Sequence, residues 1–191
     1  MPIFQDYHRT VIGYHGTRRR TALDIVAGKK SFEPSENDDD WLGHGIYFWE
    51  YAPKQALTWA KKRYPGEKIA VLGSMIRLGN CLDLLDPDNA KELVEIQKDL
   101  ENKSKSAGKK PIRNCKSKKY LDCKVLQYAY EVYNKQSDDI ESARAVYVPT
   151  QSKDRLWKAS WLYHETHIQL CVRNKDLILG TWLVDTPEEN R

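Results

Sequence analysis

No apolar run in this sequence approaches the ~20 residues that a membrane-spanning helix needs. The first ten residues, MPIFQDYHRT, hold no apolar stretch of the kind that marks a secretory signal. A soluble, cytoplasmic chain with no membrane partner is expected. Cysteine is sparse. Cys81, Cys115, Cys123 and Cys171 include no C-x-x-C pair, and the closest two stand eight apart. That spacing suits neither zinc nor a disulfide-stapled secreted scaffold, so free thiols are expected. No internal repeat is evident. In YHETH, His164 and His167 are three apart, whereas H-E-x-x-H puts two histidines one helical turn apart. On a strand the two would face opposite ways, and no metal is expected.

What is present suits one domain spanning residues 1–191. The chain is 40% hydrophobic, enough for a core, and 30% charged. The net charge is only +4, but Lys103 to Lys124 holds nine basic residues and one acid, Asp122. Arg18-Arg19-Arg20 and Lys29-Lys30 form two smaller clusters. Such a block reads either as a solvated face or as a surface for a polyanion. Tyr120 is the sole aromatic inside it, so it lacks the regular stacking residues of a single-strand groove.

Local patterns predict a mixed α+β chain. TALDIVAGKK reads as a short helix capped by Thr21 and ended by Gly28. An acidic loop from Phe32 to Trp41 follows, then GIYFWE, too short to assign between strand and turn. In APKQALTWAKKRY, Ala56, Trp59, Ala60 and Tyr64 recur at helical spacing, with Pro53 in the first turn. KIAVLGSMIRLGNCLDLLD is strand-like, PDNAKELVEIQKDLENK is an amphipathic helix, and YLDCKVLQYAYEVYNK is a second helix after the basic loop. RAVYVP, THIQLCVRN and LILGTWLV read as closing strands. Residues 86–142 thus form a helical, basic insertion between two β-rich halves.

Two segments carry chemistry. In ETHIQLCV, strand alternation puts Thr166, Ile168, Leu170 and Val172 on one face and Glu165, His167, Gln169 and Cys171 on the other. Taken alone, that is also the pattern of a half-solvated antiparallel strand. In VIGYHGT, a strand ending at His15-Gly16 brings an imidazole and bare backbone to one place. A planar amide could pair there, although a tight turn with a hydrogen-bonded histidine fits equally.

The order of YHGTR, a short helix, an acidic loop, GHGIYF, a helix with Ala56 and Trp59, and a strand ending in RLGNCLDL resembles the ADP-ribosyltransferase superfamily. The similar branch contains the poly(ADP-ribose) polymerases and diphtheria toxin. The likeness covers residues 11–84 well and 160–184 loosely. It implies a split antiparallel sheet and NAD as substrate, without a metal. His15 would hydrogen-bond the adenosine ribose, Gly16 would grip the nicotinamide carboxamide through its backbone, and Thr17 would line the adenosine side. Tyr47 would stack on nicotinamide, Gly45 would let the chain turn beside the ring, and Trp59 is a candidate second stacking residue. Relatives carry glutamate on the late strand where this sequence has Gln169, and His167 stands where relatives contact the acceptor. Glutamine can hold a ribose hydroxyl but supplies neither charge nor base.

The resemblance therefore implies a mono-ADP-ribosyltransferase rather than a polymer-building enzyme. Its small size fits a toxin or phage-defence effector checked by an antitoxin. Lys116, Lys118, Lys119 and Glu165 are candidate acceptor-binding residues, with nucleic acid slightly favoured over protein as acceptor. A non-catalytic module that binds NAD or ADP-ribose and recognises a partner through the same cleft is the alternative.

Overall fold

The computed structural model describes residues 9–115, 118–136, 138–149 and 154–184. Strand β1, Thr10–Arg18, runs without a break into helix α1, Arg19–Val26. The expected Thr21 cap is not used. The helix starts two residues earlier, because the Arg19 N–H is taken up by the Lys68 carbonyl at 2.8 Å. GIYFWE resolves as strand β2, Ile46–Glu50, and Pro53 opens helix α2, Pro53–Arg63. Strands β3, Ile69–Arg77, and β4, Cys81–Asp83, follow. Helix α3, Pro87–Ser106, is capped by the Asp86 carboxylate, which accepts from Asp88 N. Helix α4, Tyr120–Asn134, leads to β5, Ser142–Tyr147, β6, His167–Val172, and β7, Ile178–Val184. Among the described residues no helix is long and apolar enough to cross a membrane.

The seven strands form one sheet in the order β4-β5-β6-β2-β1-β3-β7. Every neighbouring pair is antiparallel except β4 and β5, which are parallel. A parallel pair needs a crossover connection, and α3 and α4 supply it. The helical segment expected as an insertion is the crossover itself, and it brings its own apolar cluster. Leu126, Ala129 and Tyr130 of α4 pack with Ile96 of α3, Leu82 of β4 and Ala143 of β5.

The main core covers one face of the sheet. Val11, Phe48, Leu72, Ile76, Leu170 and Val172 lie there, with Ala22 of α1. On the other face α2 sits on Tyr14, Trp49 and Val71 through Ala56. Gly16 permits that approach. A Cβ at Gly16 would stand 2.2 Å from the Ala56 carbonyl oxygen and 2.8 Å from the Ala60 Cβ.

The join between β1 and β2 positions the site. β1 pairs with β3 over its full length, from Thr10↔Arg77 to Arg18↔Ile69. With β2 it pairs only at Gly13↔Glu50 and Tyr14↔Trp49. Beyond Tyr14 the two strands part. An antiparallel ladder alternates its bonding direction, so Ile12, whose carbonyl accepts from Tyr51 N, and Tyr14 face β2. Gly16 is next on that side, and its peptide groups point into the opening.

A buried ion pair ties the far half of the sheet together. Arg144 of β5 donates to both Glu50 carboxylate oxygens, at 2.9 and 3.0 Å, and to Asp83 at 2.8 Å. Arg144 and Glu50 side chains each keep 7% of their exposure. Replacing Arg144 with Met strands the Glu50 carboxylate, and a loss of about 3–5 kcal/mol is expected in urea unfolding. The Glu50→Gln/Arg144→Met double variant should recover part of it. An Arg144→Met chain as stable as the parent would remove this pair from the account.

Candidate active site

Where β1 and β2 separate, a cleft of about 720 Å3 opens between the α2 side of the sheet and His15, whose ring rests on Phe32 and Phe48. His15, Gly45, Tyr47, Trp59, His167 and Gln169 all line it. They come from four elements and the loop before β2, and the sheet register brings them together. Tyr47↔Cys171 and Trp49↔Gln169 are cross-strand neighbours of β2 and β6, and Ala145↔Gln169 and Tyr147↔His167 are neighbours of β5 and β6. Residues two apart share a face, so Tyr47, Trp49, His167 and Gln169 form one polar and aromatic wall.

His15 lies within β1 rather than at its end, because β3 holds the strand as far as Arg18. Its Nδ1 is 2.8 Å from the Tyr47 carbonyl oxygen. A carbonyl only accepts, so Nδ1 carries the proton and Nε2 keeps its lone pair. The imidazole takes the bond that the Gly16 N–H would make if the ladder continued. Burial lowers the His15 pKa below its ordinary 6.5, opposed in part by that backbone bond. Gly16 and Thr17 are buried in β1 and do not line the cleft. The side of Gly16 that lacks a side chain faces α2, so its glycine is explained by helix packing.

Tyr47 is held at both ends. Its hydroxyl donates to the Gly43 carbonyl at 2.8 Å and accepts from Leu42 N at 2.9 Å, while its ring lies in the cleft wall. Burial raises its phenol well above the ordinary range, so it stays neutral. Gly45 passes close to β6. A Cβ there would meet the Cys171 sulfur at 2.6 Å and the Val172 carbonyl at 2.8 Å. Trp59, still 39% exposed, leans on Trp49 with ring centroids 5.5 Å apart.

Gln169 is fixed by a residue that sequence reasoning passed over. Trp41 Nε1–H donates to Gln169 Oε1 at 2.5 Å. An indole N–H can only donate, so Trp41 fixes Oε1 on its own side and turns the amide NH2 toward other partners. Trp41 stood in the sequence directly after Asp38-Asp39-Asp40, and that abrupt aromatic after an acid run was the available signal. Tyr147 was missed too. Its ring stacks on His167, with centroids 4.9 Å apart and planes at 22°. His167 Nδ1 donates to the Glu165 carbonyl at 2.6 Å. Burial also lowers the pKa of His167.

The candidate acceptor residues divide. Glu165 lines the cleft ahead of β6, which starts at His167 rather than at Thr166 as the pattern suggested. Lys118 lines it as well, paired with Asp39 at 2.9 Å. Lys119 is exposed at the start of α4 and is not part of the cleft lining. Lys116 lies outside the described residues. Other basic groups have local partners, Lys103 with Asp99 and Lys105 with Glu101. Arg18 pairs with Glu67 and covers the Tyr64 ring. Among the described residues no three His, Cys, Asp or Glu side chains gather as a metal site.

No family model matches the chain, and no solved structure does. A stretch of 37 residues is 51% identical to an uncharacterized protein of Methanocaldococcus jannaschii, and covers 19% of this chain. The match spans 17% of that protein's length.

Two part-buried imidazoles with lowered pKa values have a consequence for stability. Their folded pKa values lie below the unfolded value of 6.5. The stability they confer is complete above that value and lost as pH falls through it toward the folded values. Urea unfolding between pH 7.5 and 5 should show falling stability, with a smaller slope in His15→Gln. An equal slope in that variant would contradict the assignment.

Proposed function

We propose that this cleft binds NAD and that the protein is a transferase breaking the bond between nicotinamide and ribose. More particularly, we read it as a mono-ADP-ribosyltransferase acting as a toxin or defence effector. The observation that carries the reading is that His15, Tyr47 and Gln169, from β1, β2 and β6, border one cleft at the point where the β1–β2 ladder stops.

The chemistry follows from what each group can do. The Tyr47 ring offers a π-face to the planar pyridinium, and Trp59 gives a second apolar surface. His15 presents Nε2 as an acceptor for a ribose hydroxyl. Loss of nicotinamide generates a cation-like ribosyl centre, as in glycoside cleavage. The Gln169 NH2, aimed by Trp41, can hold a ribose hydroxyl through this change but offsets no charge. A neutral group there favours a single transfer over chain growth. Acids and bases both line the cleft, and the support for nucleic acid as the acceptor over protein is the basic loop beyond Lys118 together with Lys62 and Arg63 at the end of α2. An antitoxin that covers the cleft would be the matching partner.

Incubation with labelled NAD and total RNA, DNA or lysate tests the reading. Label on RNA or DNA is expected. NAD bound but never consumed would favour the second reading, a non-catalytic binder, which the missing carboxylate at Gln169 supports. No binding of NAD would overturn both. Tyr47→Ala should weaken NAD binding at least about tenfold by loss of the stacking face. Gln169→Ala should lower turnover more than affinity, and unchanged turnover would remove Gln169 from the reaction. Replacing Lys118 and Lys119 with Ala should reduce the log–log salt slope of nucleic-acid modification by roughly one to two. An unaltered slope would mean that these lysines do not meet phosphate.

A further inference from the structure

His167 has a feature that binding alone does not use. Its Nε2 is shut off from solvent and has no hydrogen-bond partner. Buried polar atoms are nearly always paired, and one left bare in a cleft points to a group that arrives from outside. The protonation pattern is settled by the other nitrogen. Nδ1 donates to the Glu165 carbonyl at 2.6 Å, so Nε2 is an unprotonated lone pair. Ring orientation is settled by the Tyr147 stack at 4.9 Å and by Trp49 at 6.5 Å. His167 shares a face with Gln169 and lies about 7 Å along β6 from it.

We infer that His167 Nε2 is the base that takes the proton from the acceptor's nucleophile during transfer. The inference rests on the NAD reading of the cleft and deepens it. Two tasks are divided between neighbours on one face of β6: Gln169 holds the sugar and His167 removes the proton. In the step, an acceptor O–H or N–H bond breaks and its electron pair forms the bond to the ribose anomeric carbon. The bond from that carbon to nicotinamide breaks, its pair neutralising the pyridinium, and the proton ends on Nε2. The imidazolium gives up that proton to water after the products have left. A base is needed only where the nucleophile has a proton to lose, so the acceptor atom is a hydroxyl or an N–H, not a carboxylate or phosphate oxygen.

Burial keeps the imidazole neutral, so the acid limb of the rate should lie below 6.5. Other charged groups face the same cleft. Glu165 precedes β6, Lys62 and Arg63 end α2, and Asp39, Asp40 and Lys118 come from the loops. His15 of β1 and the Tyr147 phenol of β5 also border it. The acid limb must therefore be assigned by substitution.

The test uses the full chain and two independent readouts. First, 15N NMR of the unaltered protein at neutral pH should show His167 protonated at Nδ1 and bare at Nε2. The opposite tautomer would overturn the inference while leaving the NAD reading intact, and this measurement does not depend on any variant folding. Second, H167Q should bind NAD within about twofold of the parent. Its transfer to RNA should fall about 10²- to 10⁴-fold, with the acid limb gone from the pH profile. Parent-like transfer, or a retained acid limb, would overturn the inference alone. A parent chain that binds no NAD would overturn it together with the reading of the cleft.

Discussion

The parting of β1 from β2 is the constraint on which the rest depends. Two strands that begin as hydrogen-bonded neighbours at Gly13 and Tyr14 fail to continue at Gly16, although β3 keeps β1 straight to Arg18. Two things hold the opening. The His15 imidazole caps the Tyr47 carbonyl that would otherwise seek the Gly16 N–H. Helix α2 presses against the bare α-carbon of Gly16, so the strand cannot rotate to close the gap. A sheet edge exposed in its own interior is costly unless something pairs with it. In this protein the His15 side chain satisfies part of it.

Division of labour between rigid and polar parts follows from that opening. One face of the sheet is filled by Phe48, Leu72, Leu170 and their neighbours, which fixes the strands. The other face is where Tyr47, Gln169 and His167 are offered. Each is pinned by a group that sets its hydrogen-bonding sense: Gly43 and Leu42 for the phenol, Trp41 for the amide, Glu165 for the imidazole. The Arg144–Glu50 pair adds stiffness on the core side, below the wall formed by β2, β5 and β6. Burial raises the Tyr47 phenol and lowers the His167 imidazole pKa, so both favour their neutral forms, and Gln169 carries no charge. The proposed passage of a cationic ring to a neutral one would meet an uncharged wall.

Much of this was legible in the sequence. Alternation in THIQLCV placed Gln169 and His167 on one face, and helical spacing in PKQALTWAKKR placed α2 in its frame. The boundaries of β1 were not legible, because the pattern of TVIGYHGTR mixes glycine and aromatics and its straightness comes from β3. Gly16 was read as making room for a ligand, whereas the room is taken by Ala56 and Ala60. Tyr147 was invisible as a site residue, since only its register against His167 brings it to the cleft, whereas Trp41 stood out after an acid run but had no visible partner until its indole met Gln169. Nothing in RAVYVP marks Arg144 as buried, and its meeting with Glu50 and Asp83 accounts for its burial. The basic block read as one surface, but several of its lysines are spent on neighbouring carboxylates.

The claim beneath all of this is that one ligand fills the gap between two parted strands. A crystal structure of the protein with a non-hydrolysable NAD analogue tests it most directly. The account predicts a nicotinamide ring against Tyr47 and the adjoining ribose within reach of Gln169. A dinucleotide bound elsewhere on the surface, with the gap between β1 and β2 empty, would contradict it.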